Sequence, residues 1–305
     1  MASIKIAAIS RAGIFSPNHV GNDAAILHST VEQLRRRGCE VRLYNEEQFL
    51  ATDVQEEIIL DMCRTQSSLE KLQHLEDEGR LVINSGYAIE NCTREKMTRL
   101  LLSNGIPYPD SIIVDTDADA REQLRSAGFE RCWVKRGEFH AIHHEDVAFC
   151  RHADAVQDML HEFFYRGIRR AVINRHLDGD LVKFYGLADD SFFYWFYPLE
   201  CHHSKYGDEQ INGAPRHLGF DEGKLRRECL RAAEVTGVKI YGGDCIIDSD
   251  GSFRIIDFND WPSFAPCRDE APVYIAKSVM NMIRSWQRGR AAAERRGARR
   301  KEVKE

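Results

Sequence analysis

The sequence predicts an α/β fold, with an open parallel sheet at the N-terminus followed by mixed α+β segments. Three observations carry this. The first ninety residues alternate short apolar runs with helical periodicity, the order that builds parallel sheets. A Pro-x-Pro connector, Pro107 and Pro109, then marks entry into a new unit. Beyond it, strand-like runs follow one another with hairpin signals between them.

The elements read in order as strand Ile4 to Ile9, helix Asn22 to Gly38, strands Glu40 to Tyr44 and Ile58 to Met62, helix Ser67 to Gly79, and strand Leu81 to Asn84. In the first helix Ala25, Leu27, Val31 and Leu34 fall near one face, and Gly38 suits the residue just past its end. A single helix, about Ala88 to Asn104, is expected to stop before Gly105 and Pro107. Then come strand Ile112 to Val114, helix Ala118 to Gly128, strands Arg131 to Lys135 and Val147 to Cys150, and helix Ala153 to Gly167. Strands Ala171 to Leu177, Leu181 to Leu187 and Phe192 to Tyr197, the last an aromatic run that reads as period-two burial in a central strand, lead to a polar stretch, His202 to Gly219, and a helix, Asp221 to Gly237. Cys245 to Asp248 and Phe253 to Asp257 flank a Ser-Asp-Gly-Ser turn and read as a hairpin. A last helix, Glu270 to Gln287, precedes the C-terminal tail.

With 305 residues, 43% apolar and 30% charged, the chain suits a globular protein of two or three subdomains. No apolar run reaches the roughly 18 to 20 residues of a membrane helix, and the N-terminus shows no basic leader, so a cytoplasmic protein without a membrane partner is expected. The net charge of −6 conceals a basic tail: residues 288–305 hold eight Lys/Arg against three Glu, a local +5, leaving about −11 elsewhere. Such a body argues against DNA as a partner, and the tail is read as a solvated, frayed end. Nine scattered cysteines with no Cys-x-x-Cys pair indicate neither disulfides nor a structural zinc site. The oligomeric state is left open.

The strongest chemical signal is Gly242-Gly243-Asp244, the hairpin, and Asp257-Phe258-Asn259-Asp260-Trp261-Pro262. Strand positions two apart share a face, so Asp257 and Asn259 project together and the hairpin brings Asp244 alongside. Three oxygen donors suit a hard cation: magnesium, with manganese as an alternative. Near the N-terminus, the polar residues after the first strand, Gly13, Ser16, Asn18 and His19, sit where an α/β sheet admits ligands.

Gly-x-Asp, hairpin, Asp-x-Asn and Pro resemble the metal-binding end of the ATP-grasp superfamily. Val82-Ile83-Asn84-Ser85, Arg94-Glu95-Lys96 and Trp133-Val134-Lys135 are similar to its other motifs, in the same order. The chain resembles RimK-type and glutathione-synthetase-like ligases, with local features similar to inositol-phosphate kinases. The resemblance implies an N-terminal α/β domain, 1–90, and a two-lobed ATP-grasp domain, 91–287, with a lid lobe of about 110–175 and a C-terminal lobe of about 176–287. It implies ATP as the nucleotide and Lys96 and Lys135 as its phosphate-binding lysines. Asn174, Arg175, His176 and Leu177 would meet the adenine, and Asp244, Asp257 and Asn259 would hold the metal. Lys183, Arg216 and His140 are expected to act on a small anionic substrate. One departure is the single glycine in Arg136 to Glu145, where many members carry a glycine-rich loop; His140, His143 and His144 stand there instead.

Three functions follow. A ligase would phosphorylate a carboxylate and let an amine displace phosphate. A kinase would phosphorylate a hydroxyl of an anionic polyol; Lys183 and Asp257, where ligases generally show Arg and Glu, lean that way. A nucleotide-binding scaffold without turnover is the third.

Overall fold

The computed structural model describes residues 3–15, 20–138, 146–200 and 211–302. Its first sheet is parallel, in the order β2-β1-β3-β4, from β1 (Ile4–Ser10), β2 (Cys39–Asn45), β3 (Ile58–Asp61) and β4 (Leu81–Ile83). Both faces are covered, as a parallel sheet requires. Helices α1 (Val20–Arg36) and α9 (Ala271–Glu302) contribute Ile26, Leu27, Val31, Leu34, Ile275 and Val279 to one core. On the other face α2 (Glu46–Ala51), α3 (Gln66–Asp77) and α4 (Gly86–Asn91) bury Phe49, Leu69, Leu72 and Ile89.

The second sheet, ordered β5-β8-β6-β7, is antiparallel and combines β5 (Ser111–Asp115), β6 (Cys132–Arg136), β7 (Val147–Cys150) and β8 (Arg170–Arg175). Helices α6 (Arg121–Ser126) and α7 (Ala153–Tyr165) close one face, burying Leu124, Val156, Leu160 and Phe163 against Val134, Ala171 and Ile173.

The third sheet, β10-β9-β11-β12, is antiparallel: β9 (Asp180–Leu187), β10 (Phe193–Phe196), β11 (Ile240–Ile247) and β12 (Phe253–Asp260). Its outer face packs on α5 (Arg94–Ser103) and α8 (Glu222–Thr236) through Val182, Phe184, Cys245, Ile255, Met97, Leu101, Leu225 and Cys229. At its other end Tyr185, Leu187, Ile240 and Trp261 join the core of α1 and α9. Each such large side chain contributes about 1.5–3 kcal/mol on burial, so the first and third sheets are welded by a common core. A polar weld adds to it: buried Asn84 accepts from Lys239 N (2.8 Å) and Ile240 N (2.9 Å) and donates to Ile240 O (2.9 Å).

Four expectations change. The helix expected over Ala88 to Asn104 is two helices, because Thr93 takes an extended conformation (ψ 144) and restarts the chain at Arg94. The six-residue α2 was not foreseen, although Asn45 and Gln48 form a capping box at its start. The aromatic run was expected on a central strand, but β10 is an edge strand. Its period-two burial holds: Phe192, Tyr194 and Phe196 enter the core shared with α1, and Phe193, Trp195 and Tyr197 pack on the α8 side. Finally, the last helix runs on through the basic segment to Glu302, since Ala and Arg are strong helix formers. The eight described cysteines are all buried and reduced, and among the described residues no helix is long and apolar enough to cross a membrane.

Candidate active site

On the face of the third sheet away from α5 and α8, cross-strand register forms three rows. Lys183, Asp244 and Asp257 sit opposite one another on β9, β11 and β12; Leu181, Ile246 and Arg254 form the row on one side, and Tyr185, Gly242 and Asn259 the row on the other. The approach of the strands is close enough to demand glycine: a Cβ on Gly243 would lie 2.1 Å from the Asp257 carbonyl oxygen. In Gly-Gly-Asp the glycines are therefore a packing requirement.

The charged row is heavily paired. Lys183 Nζ lies 3.3 Å from Asp244 Oδ1. Arg94, the first residue of α5 and 7% exposed, donates through Nη1 to Asp257 Oδ1 at 2.7 Å and through Nη2 to Oδ2 at 3.4 Å. Burial opposes the guanidinium charge, but Asp257 outweighs it and raises the Arg94 pKa. A register shift between Asp244 and Cys245 leaves Ile256 without a cross-strand partner on β11. That bulge presents the Ile256 carbonyl to Lys135 Nζ at 3.2 Å. Burial, reinforced by the charge of Arg94 and opposed by Asp257 and Asp244, lowers the Lys135 ammonium to about 7.

Lys135 also tells which face of the second sheet meets the third. Trp133, two residues earlier on β6, shares its face and pairs with Phe149 of β7. The two rings stand 5.1 Å apart, and His176 lies 5.0 Å from Phe149. Trp133 Nε1 donates to His176 Nδ1 at 3.1 Å, leaving Nε2 to face Asp178 at 3.5 Å. Burial lowers the His176 pKa.

Of the anticipated site residues, Lys135, Lys183, Asp244 and Asp257 converge, with Asn259 one row away. Lys96 does not join them: it is half exposed and ion-paired with Glu90. Arg94, two positions earlier, reaches the carboxylates instead. Asn174 is buried and donates to Ser111 Oγ at 2.8 Å. Arg175 turns away toward Asp110 Oδ2 (3.1 Å) and the Gly128 carbonyl (2.7 Å). The Leu177 carbonyl accepts from Asn212 at 2.9 Å. Arg216 is largely exposed beside Asp180, which accepts from the Arg216 and Leu218 amides, and it lies off the charged row. His140, His143, His144 and the residues 16–19 lie outside the described residues. Arg94 and Trp133 were missed; proximity to Lys96 and period-two spacing from Lys135 were the available signals.

The donor set fits a hard cation in chemistry: two carboxylates and an amide oxygen, all oxygen, all from one sheet face. Among the described residues no three His, Cys, Asp or Glu side chains gather as a metal cluster.

The arrangement of three sheets and this face define an ATP-grasp fold. No family model matches the chain, and no curated protein matches it in sequence. Among solved structures it is similar to D-alanine–D-alanine ligase from Bacillus anthracis complexed with ATP, at 13% identity over 96% of this chain and 100% of that one, with a TM-score of 0.67. The ligase from Coxiella burnetii gives 11% identity, 97% and 100% coverage and a TM-score of 0.69. The ATP-grasp ligase PsnB complexed with a minimal precursor gives 16%, 92%, 100% and 0.60. The chain thus has the fold of ATP-grasp ligases over nearly its whole length.

Proposed function

We propose that the protein is an ATP-dependent ligase joining a carboxylate to an amine or other nucleophile. The observation that carries this is the gathering of three cations about the two carboxylates: Arg94 on Asp257, Lys183 on Asp244, and Lys135, from the second sheet, on the Ile256 carbonyl beside Asp257. Asp244, Asp257 and Asn259 would hold magnesium, which supplies charge neutralisation at the phosphates. Lys135 and Arg94 would bind the phosphates from the opposite side, and Trp133, Phe149 and His176 would flank the adenine. A substrate carboxylate oxygen attacks the γ-phosphorus and ADP leaves, steadied by Lys183; the nucleophile then attacks the acyl carbon, loses a proton and expels phosphate. The similar ligase from Bacillus anthracis is complexed with ATP, and PsnB with magnesium and ADP, which supports the same use here. A cytoplasmic enzyme acting on a small anionic substrate fits this chemistry.

The polyol-kinase alternative gains nothing from the solved structures named above, which are ligases. Incubation with Mg-ATP and pooled carboxylic acids, amino acids and amines tests the proposal. Phosphate release that needs both an acid and an amine is expected, and it is lost in Asp244→Ala and Asp257→Ala. A product heavier by one phosphoryl group, with no free phosphate, would mark a kinase.

A further inference from the structure

The charged row is neutralised from within. Asp257 is held by a guanidinium and Asp244 by an ammonium, while Lys135 rests on a carbonyl rather than a carboxylate. Arg94 and Lys135 are each 7% exposed, so neither can exchange its protein partner for bulk water without moving. Breaking one half of a buried pair leaves an uncompensated charge, the costly case for ion pairs in protein interiors.

We propose that Arg94 and Lys183 occupy the carboxylates as placeholders for a divalent cation, so that metal and nucleotide enter by a coupled exchange of partners. This rests on the nucleotide reading above. A metal arriving alone would take Asp257 and Asp244 and strand Arg94 and Lys183 beside another cation. A triphosphate arriving alone would draw the cations away and face two bare carboxylates. Arriving together, each ligand supplies the charge that the other displaces: Arg94 and Lys183 turn to phosphate oxygens as the carboxylates turn to metal. Each ligand then strengthens the other reciprocally.

The exchange makes Arg94 an obstacle to metal alone and an asset to metal with nucleotide, a reversal of sign that simple phosphate binding does not produce. Mn²⁺ binding is read from the loss of its free-ion EPR signal, and AMP-PNP binding by calorimetry, with Mn²⁺ or with EDTA. In Arg94→Gln, Mn²⁺ alone should bind more tightly, within the roughly 5–150-fold typical of coupled sites, whereas AMP-PNP with Mn²⁺ should bind more weakly. In Asp257→Asn, AMP-PNP in EDTA should bind more tightly than to wild type. Arg99→Gln, which removes an exposed arginine from the same helix, should change neither. Unaltered Mn²⁺-alone affinity in Arg94→Gln, with wild type binding the pair, overturns the exchange but leaves the nucleotide site standing. If Arg94→Gln does not fold, unaltered EDTA affinity in Asp257→Asn does the same. Failure of wild type to bind AMP-PNP with Mn²⁺ overturns both readings.

Discussion

Arg64 Nη2 stands 2.9 Å from Asp260 Oδ1, with the two side chains 8% and 1% exposed. Arg11 reaches the same carboxylate at 3.3 Å and donates to the Trp261 carbonyl at 2.9 Å. Both arginines follow strands of the first sheet, and Asp260 ends the strand that carries Asp257 and Asn259. Strand β12 is thus anchored to the N-terminal sheet by a buried carboxylate. Asp260→Ala takes from buried Arg64 the carboxylate it pairs with, while Arg11 keeps Asp23 at 2.9 Å, and should cost about 3–5 kcal/mol, read from urea denaturation. A loss below about 1 kcal/mol, the scale of an exposed pair, would show that the anchor is not needed.

Lys135 should give the protein a specific pH signature. Its folded pKa of about 7 lies below the ordinary lysine value of 10.5. Between those values the unfolded chain binds the extra proton, so this group makes stability rise with pH across that window. Lys135→Met should therefore be more stable than wild type at pH 6, with the gap closing toward pH 10. A constant gap in denaturation midpoints across that range would contradict this. A phosphate ligand favours the charged amine, so AMP-PNP binding at pH 8 should take up protons, seen as calorimetric heats that vary with buffer ionisation enthalpy.

Gly243 tests the register of the charged row. Replacing it with Ala drives a methyl into the Asp257 carbonyl, and overpacking of this kind costs about 1–3 kcal/mol or more. Thermal unfolding should fall accordingly, and Mn²⁺–AMP-PNP affinity should fall with it, because the strand that moves bears Asp257.

Lys96 should behave as a surface residue in the free protein. Its pair with Glu90 is half exposed, so Lys96→Met should change the unfolding free energy by less than about 1 kcal/mol.

The end of α9 should be dispensable for folding. Ile283 is the last buried residue described, Trp286 Nε1 donates to Gly79 O at 3.2 Å, and Arg290 pairs with Glu57. Ending the chain after Arg290 should leave the melting temperature nearly unchanged.

Much of this was legible from residue spacing. The alternation of apolar runs with helical periods gave the parallel sheet because both patterns are set by local geometry. The Gly-x-Asp and Asp-x-Asn spacing put Asp244, Asp257 and Asn259 on one sheet face because strand faces have period two. Side-chain direction at a helix start was not legible: whether Arg94 or Lys96 meets Asp257 depends on the extended turn at Thr93, a feature no periodicity encodes. The contacts of Arg175 and Arg216 were equally hidden, since long side chains choose partners by tertiary proximity. Asp260 read as part of a metal motif, and only the arrival of Arg11 and Arg64 from another sheet makes it an anchor.

The division of the interior has a last consequence. The first and third sheets share one core, while Leu124, Val156, Leu160, Phe163 and Ile173 form a self-contained core in the second sheet. A single chain so built holds two cooperative units of opening. The Lys135 contact to Ile256, Arg170 reaching Glu95 at 2.9 Å, and the Glu95 amide donating to the Gly137 carbonyl at 2.9 Å tie those units by polar bonds. Angular freedom of one unit against the other can then be gained by releasing a few charged contacts, with no apolar surface newly wetted within either core.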